Sequence, residues 1–380
     1  MSKNFTIIGG GIAGLTTAIA LRKIGIEATV FEAAPALHSL GAGLALAGNA
    51  MQAYQHLALA DAVKNAGYVL PSFAILDQKG KVITEADTAA VNRKYNTCSV
   101  AIHRAALHEV LLSQIKPEQL ILDKRATGFE RKDNALVVQF QDDTTHPTDY
   151  LIVADGIHSQ IRQQLLPGAH TRYAGYTCWR AAIDNTDLSI EGSTESWGAG
   201  RRFGIVPLAD NKIYWFACTN APPQDTRMKN FTANDLYRHF QDFHDPIPSI
   251  LLQTKDEELI WNDIIDLKPI DAYTFERIVL IGDAAHATTP NMGQGACQAI
   301  EDAVILVSEI KQRADIPEAF KSFEKRRMKR TRFIVNNSWS LGKVAQWENK
   351  FLCTLRNFAF RALPASINER QMKKLYAVDF

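Results

Sequence analysis

Gly9-Gly10-Gly11-Ile12-Ala13-Gly14 stands between the apolar run Asn4 to Ile8 and a stretch, Ile12 to Ile24, whose apolar residues recur at helical spacing. Gly25 stops that helix, and Ala28 to Phe31 reads as a second strand. The order strand, glycine turn, helix, strand is one βαβ unit, the context that lifts G-x-G-x-x-G above chance. At Gly9, Gly11 and Gly14 missing side chains permit a tight turn, close approach of backbone N–H groups to a pyrophosphate, and close helix–strand packing. Ala13 lies in the first turn of the helix, whose N-terminus adds partial positive charge. Glu32 ends the second strand, 18 residues after Gly14, where a carboxylate can accept from ribose hydroxyls. Alone, this fingerprint does not separate FAD from NAD.

Two later motifs do. Asp155-Gly156-Ile157-His158-Ser159 follows the strand-like run Asp149 to Ala154, and Gly282-Asp283-Ala284-Ala285-His286 follows Arg277 to Ile281. In open α/β sheets ligands collect at such carboxyl ends, so the three motifs can face one cleft. An aspartate at a strand end can hold a polyol hydroxyl, which FAD has in its ribityl chain and NAD lacks. Pro290 then stiffens the approach to Gly293-Gln294-Gly295-Ala296, which opens another helix. Its free N–H groups can stabilise negative charge on a reduced flavin.

The expected fold is α/β: a Rossmann-like FAD-binding domain, an inserted antiparallel-sheet substrate domain and C-terminal helices. Residues 173 to 220 carry Tyr173, Tyr176, Trp179, Trp197, Phe203, Tyr214, Trp215 and Phe216 in strand-like runs. The boundaries expected are 1–71, 98–170 and 277–345 for FAD, 72–97 and 171–276 for substrate, and 346–380 for a helical tail. Residues 232 to 254 read as a helix. Gln298 to Gln312 and Ala319 to Ala345 read as long ones.

Lys+Arg 42 against Asp+Glu 41 gives a net charge of +1, which recruits neither nucleic acid nor an anionic membrane. The run Glu324 to Arg332 holds six basic residues and one acidic, and reads as a solvated helix face. Five scattered cysteines without C-x-x-C spacing suit a reducing cytoplasm rather than a metal site or disulfide framework. Four glycines break up the N-terminal apolar region, so a strand, turn and helix explain it better than a secretory signal. Residues 33 to 60 lack Asp, Glu, Lys and Arg, but their proline, glycines and histidines do not suit a bilayer span. They are expected to line a buried ring system or the core, with Gly43 in the cofactor set.

With this ordered triple the chain resembles the class A flavoprotein monooxygenases, the single-component aromatic hydroxylases, over about residues 1 to 345. The resemblance implies FAD-binding roles for Gly9, Gly11, Gly14, Glu32, Arg104 in His103-Arg104-Ala105-Ala106-Leu107, Ala126, Asp283, Gly295 and Ala296. It implies that Asp155, with His158 and Arg162, serves both FAD and NAD(P)H, and no second G-x-G-x-x-G follows a predicted strand. It also implies reduction of FAD by NADPH or NADH, capture of O2 as a C4a-hydroperoxyflavin and oxygen transfer to an electron-rich ring. Where the family often has Asn after Gly-Gln-Gly-Ala, this chain has Cys297, read as a structural thiol.

For the substrate, Arg202, Tyr214 and Asn291 are the candidate catalytic residues. On alternating strands Arg202 shares a face with Gly204, and Tyr214 with Phe216. Arg202 can pair with an anionic or enolate-like substrate, and Tyr214 can hydrogen-bond to a ring. Tyr173-Ala174-Gly175-Tyr176 with Arg202 and Tyr214 is similar to urate hydroxylase-type members. Those place an acid after Thr-Thr-Pro, whereas Asn291 stands here, able to orient a polar ring atom but not to act as a base. A neutral or ionised heteroaromatic, a phenol or a tetracycline-type polycycle stays open, as does a reductase or dehydrogenase on the same fold. A halogenase would carry W-x-W-x-I-P, and Phe203-Gly204-Ile205-Val206-Pro207 lacks both tryptophans. His286 is expected to pack rather than act as a base. A cytoplasmic monomer or homodimer without metal or stable membrane insertion completes the expectation.

Overall fold

The structure, a computed structural model, describes residues 3–37, 42–86, 88–132 and 135–380. A six-stranded sheet runs Thr274–Phe275, Ile278–Leu280, Tyr150–Val153, Phe5–Ile8, Ala28–Phe31, Leu120–Ile121, parallel apart from its first pair. Parallel strands buried on both faces need continuous apolar runs. Phe5–Ile8, Tyr150–Val153 and Ile278–Leu280 are such runs, buried throughout apart from Tyr150 at a strand start. The Ile12–Lys23 helix packs between this sheet and the Gly295–Gln312 helix.

A seven-stranded sheet takes its strands in the order Ile260–Leu267, Thr171–Asp184, Lys212–Asn220, Arg201–Leu208, Ser193–Trp197, Phe73–Asp77, Val82–Ala86. It is antiparallel except where Ser193–Trp197 meets Phe73–Asp77 in parallel. Period-2 alternation gives it two unlike faces. Trp179, Ile183, Phe203, Ile205, Trp215 and Ala217 point to one, packed against Leu236, Phe240, Ile247 and Ile250. The buried indoles there are satisfied: Trp179 donates to the Met228 carbonyl at 3.1 Å and Trp215 to Thr254 Oγ1 at 3.0 Å. Tyr176, Cys178, Arg202, Gly204, Tyr214, Phe216 and Cys218 lie on the other, with Cys178 directly opposite Cys218.

Two expectations need correction. Residues 232 to 254 form two helices, Ala233–Phe240 and Ile247–Gln253. Pro246 has no amide hydrogen to donate and disfavours helical geometry at Asp245, so the chain breaks there. Residues 72–97 contribute two strands to the seven-stranded sheet, Phe73–Asp77 and Val82–Ala86, and the Thr88–Lys94 helix. The basic run is a solvated face only in part: Lys325 and Lys329 are exposed, whereas Arg327, in the Ile316–Ala345 helix, is 0% exposed and binds Asp302 Oδ1 at 2.6 Å and Glu301 Oε2 at 2.5 Å. Arg330 grips both oxygens of Glu301 at 2.7 Å.

The stretch without charges forms core through Leu46, Ala50, Met51 and Tyr54, and its residues 38–41 lie outside the described residues. Among the described residues no helix is long and apolar enough to cross a membrane, and no group of three or more metal-ligating side chains gathers.

Candidate cofactor and substrate site

The three motifs converge. Gly9, at φ +106°, is so close to the second motif that a Cβ there would lie 2.3 Å from the Ala154 carbonyl oxygen. A Cβ on Gly14 would lie 1.9 Å from the Gly9 oxygen, so the turn and the helix start interlock. One on Gly282 would approach Ala13 Cβ at 3.0 Å, joining the third motif to the first. Arg162 Nη1 donates to the Ala284 carbonyl at 3.1 Å, joining the second to the third.

At the centre of this junction the backbone is left open. A Cβ on Gly11, Gly156 or Gly293 would meet nothing within 4 Å. Asp283, Pro290 and Gly293 are exposed among buried neighbours, and Gly295 and Ala296 begin the Gly295–Gln312 helix beside them. Glu32 accepts from the Gly10 amide at 2.7 Å and the Ala34 amide at 2.8 Å, which fixes its carboxylate across the turn with lone pairs to spare. Gly43 pairs with His103 in the Gly43–Leu46 and Val100–His103 ladder, which brings it beside exposed Arg104. Ala126 is buried at the start of a separate antiparallel sheet, near the end of the Glu32 strand.

The carboxylates carry the signature of an awaited partner. Burial pushes the Asp155 pKa up to about 6 against hydrogen bonding from Ser159 and the charge of Arg162, and its Oδ1 is buried with no donor. Asp283 is open to solvent on one side but crowded by protein on the others. That crowding raises its pKa although His286, Arg104 and Arg162 pull the other way. Open glycine backbone, an orphaned carboxylate oxygen and nearby cations are what a dinucleotide with hydroxyls and phosphates would satisfy, so the residues fit FAD.

A carboxyl group whose folded pKa is raised destabilises the fold once ionised. The penalty is absent below its ordinary value near 4 and full above about 6. Asp155→Asn should therefore melt above the wild-type apoprotein at pH 7.5, with the difference gone near pH 4, in thermal melts across that range. An unchanging difference would exclude the assignment.

Arg202, 2% exposed, is committed on every side. It donates to Glu195 Oε1 at 2.9 Å, to Asn291 Oδ1 at 2.9 Å and to Gln346 Oε1 at 2.8 Å, with its guanidinium 5.1 Å from the Tyr176 ring centroid. Asn291 is equally occupied: Tyr176 donates to Oδ1 at 2.9 Å, while Nδ2 donates to Thr289 Oγ1 and the Ser338 carbonyl, each at 2.9 Å. Arg202 and Asn291 are thus brought together in one network. Tyr214 stands apart on the same face, packed so that a Cβ on Gly43 would lie 2.8 Å from Tyr214 Cβ. Its hydroxyl pKa is raised by burial, which keeps it a proton donor.

Two residues of this face went unremarked in the sequence. Glu195, buried, neutralises Arg202 and also accepts from the Trp197 indole at 3.0 Å. Arg180, directly opposite Phe216, bonds Asn262 yet keeps a buried Nε with no acceptor. Both lie in predicted strands, but only strand register shows which side chains meet. His286 packs, bonded to Asp302 at 2.6 Å. Cys297 is fully buried and accepts from the Ala47 amide; burial pushes its thiol up to about 12, so it stays protonated. A cleft of about 430 Å³ shares Gln346 with the Arg202 cluster, but none of the three motifs reaches it.

A family model described as an FAD binding domain matches residues 3–338. The chain is 37% identical over 358 residues to an aurachin C monooxygenase/isomerase of Stigmatella aurantiaca, covering 94% of this chain and 93% of that one. It is 30% identical over 373 residues to a 2-heptyl-3-hydroxy-4(1H)-quinolone synthase of Pseudomonas aeruginosa, covering 97% of each. The crystal structure of Klebsiella pneumoniae HpxO complexed with FAD and uric acid superposes with a TM-score of 0.90 at 27% identity, covering 98% of this chain and 96% of that one.

Proposed function

This chain belongs to the class A FAD-dependent aromatic monooxygenases, and from that membership we propose that its substrate is a neutral nitrogen heteroaromatic of the 4-quinolone kind, with NADPH or NADH as reductant. One observation carries the choice of a neutral ring. The buried Arg202 charge is already cancelled by Glu195, and each of its three nitrogens already bonds Glu195, Asn291 or Gln346. An anionic substrate would have to displace a buried carboxylate, leaving Glu195 without its partner at a cost of several kcal/mol. The 30% identity to a quinolone synthase over nearly the whole chain agrees with that choice.

FAD, when bound, accepts hydride from NAD(P)H and activates O2 for transfer to the substrate ring. The work left to the chain is holding and positioning. Gly9, Gly11, Ala13 and Gly14 would seat the pyrophosphate, and Glu32 and Ala126 the adenosine end. Asp155 and Asp283 would take hydroxyls, and Arg104 with Gly43 would flank the chain between them. Gly295 and Ala296 would present backbone N–H groups and a helix N-terminus to the ring, with Pro290 and Gly293 shaping the turn that leads to them. Above it, the Arg202–Asn291 network would set the floor of the substrate chamber. Tyr214 and the free Nε of Arg180 would donate to the substrate's carbonyl oxygen, and Phe216 with Val206 would exclude water. The same division of labour supports separate FAD (1–71, 98–170, 277–345) and substrate (72–97, 171–276) domains.

The test is purified yellow protein given NAD(P)H, O2 and either a 4-quinolone, urate or a hydroxybenzoate. Substrate-stimulated NAD(P)H oxidation with one oxygen atom added is expected for the quinolone. A preference of roughly tenfold or more for either anion overturns the reading. Glu195→Gln should uncover the Arg202 charge and raise kcat/KM for a carboxylated analogue relative to the neutral ring by roughly tenfold.

A further inference from the structure

The Lys350–Arg361 helix presents three different faces. One is pinned to the substrate sheet. Arg356 lies 5.0 Å from the Trp197 ring centroid and donates to the Ala345 carbonyl at 2.9 Å, Phe360 meets the Trp197 ring edge-on at 5.5 Å, and Cys353 is buried. Arg361 clamps the far end, donating to the Val82 carbonyl at 2.9 Å and Asp77 Oδ2 at 2.7 Å. The second face carries Lys350, Thr354, Asn357 and Arg361. The third is apolar and uncovered: Phe351 is 76% exposed, Leu355 53% and Phe358 69%, with Leu352 beside them at 39%.

Phe351, Leu355 and Phe358 stand at i, i+4 and i+7, one stripe of a helix. The inner contacts hold the helix rigidly, so the stripe cannot fold back onto the protein. It is presented to something. The charge of the C-terminal segment says what. Residues 349–380 hold six basic against two acidic in a chain whose net charge is only +1. Lys350, Arg370, Lys373 and Lys374 are exposed, while Arg356 is turned inward and Arg361 is paired with Asp77. A second copy docking the same face about a two-fold axis would bring two such positive segments together. An anionic bilayer complements both features: aromatic and aliphatic side chains enter the headgroup boundary while Lys and Arg meet lipid phosphates.

We propose that the Lys350–Arg361 helix is an interfacial docking element that seats this enzyme reversibly on an anionic lipid surface. The helix begins four residues after Gln346, which holds Arg202 Nε at 2.8 Å, so docking places the substrate chamber near the bilayer. This proposal stands on the helix alone and does not depend on which ring is hydroxylated.

The holoenzyme should be centrifuged with phosphatidylcholine vesicles, with and without phosphatidylglycerol, at low and high salt. Binding is expected to the anionic vesicles, much less to the neutral ones, and to weaken with salt as counter-ions screen the basic residues. Phe351→Ser combined with Phe358→Ser should lower the bound fraction by roughly tenfold or more while flavin content and NAD(P)H oxidation in solution are unchanged. Failure to bind anionic vesicles, or equal binding by the double variant, overturns the proposal. So does a dimer mass by light scattering that the double variant halves, which would place a second copy on this face.

Discussion

Arg327→Ala is expected to lower the unfolding free energy by about 3–5 kcal/mol, read as a fall in the urea midpoint at pH 7. The size follows from what is left behind. Glu301 and Asp302 are both 0% exposed, and Arg327 is the fully buried cation that touches both. Asp302 also fixes the Gly282 amide at 2.8 Å and His286, while Glu301 accepts from Asn49 at 2.5 Å. Removing the guanidinium therefore leaves Asp302 without its arginine and Glu301 with Arg330 alone, and loosens the turn that carries Asp283.

The pH dependence gives this prediction a second arm. Burial alone would raise both carboxyl groups, but His286 and Arg327 at Asp302, and Arg327 and Arg330 at Glu301, outweigh it and hold their pKa values below normal. Depressed carboxyl pKa values contribute stability that is complete above the ordinary values near 4 and is lost as pH falls through the lower, folded ones. Without Arg327, burial wins back part of the shift, and protonating these acids relieves the variant. The gap between wild type and Arg327→Ala should thus narrow as pH falls toward 4. A gap that widens would place the acid sensitivity elsewhere.

This network also shows how far the sequence could be read. The glycine motifs are short enough to read: Gly9 and Gly14 are demanded by carbonyl oxygens close by in space and Gly282 by its positive φ and the Ala13 methyl, and their strands and helices follow from short apolar runs. Whatever depended on pairing across elements was hidden. Charge density made the 324–332 run look solvated, yet Arg327 and Thr331 occupy the spacing of the buried stripe Phe320, Phe323 and Ile334. An arginine on an apolar stripe was a readable sign of a buried partner. Glu301-Asp302, at buried positions of the Gly295–Gln312 helix, was its complement. No comparable sign marked Glu195: its meeting with Arg202 is set by the register that puts Trp197 opposite Arg202 and Glu195 opposite Gly204.

Purified Asp283→Ala is expected to be colourless, with FAD affinity down by roughly a hundredfold and no NAD(P)H oxidation at ordinary flavin concentrations. Among the described residues no donor reaches the Asp283 carboxylate, and crowding already disfavours its charge. The group therefore costs the empty protein something and stabilises nothing in it. A hydroxyl of the flavin side chain would supply the missing donor, and a hydrogen bond to a charged group contributes about 1.5–3 kcal/mol, or roughly 10- to 150-fold in Kd. Because the carboxylate holds no internal bond, the alanine variant should fold and melt at or above the wild-type apoprotein. That separates lost binding from lost structure. Asp283→Asn keeps an acceptor oxygen and removes the charge, so its flavin content should fall between the two. Stoichiometric yellow flavin in Asp283→Ala would show that the third motif does not hold the cofactor. The convergence of the three turns would then serve packing alone, with Gly282 conserving the 3.0 Å approach to Ala13 as its only task.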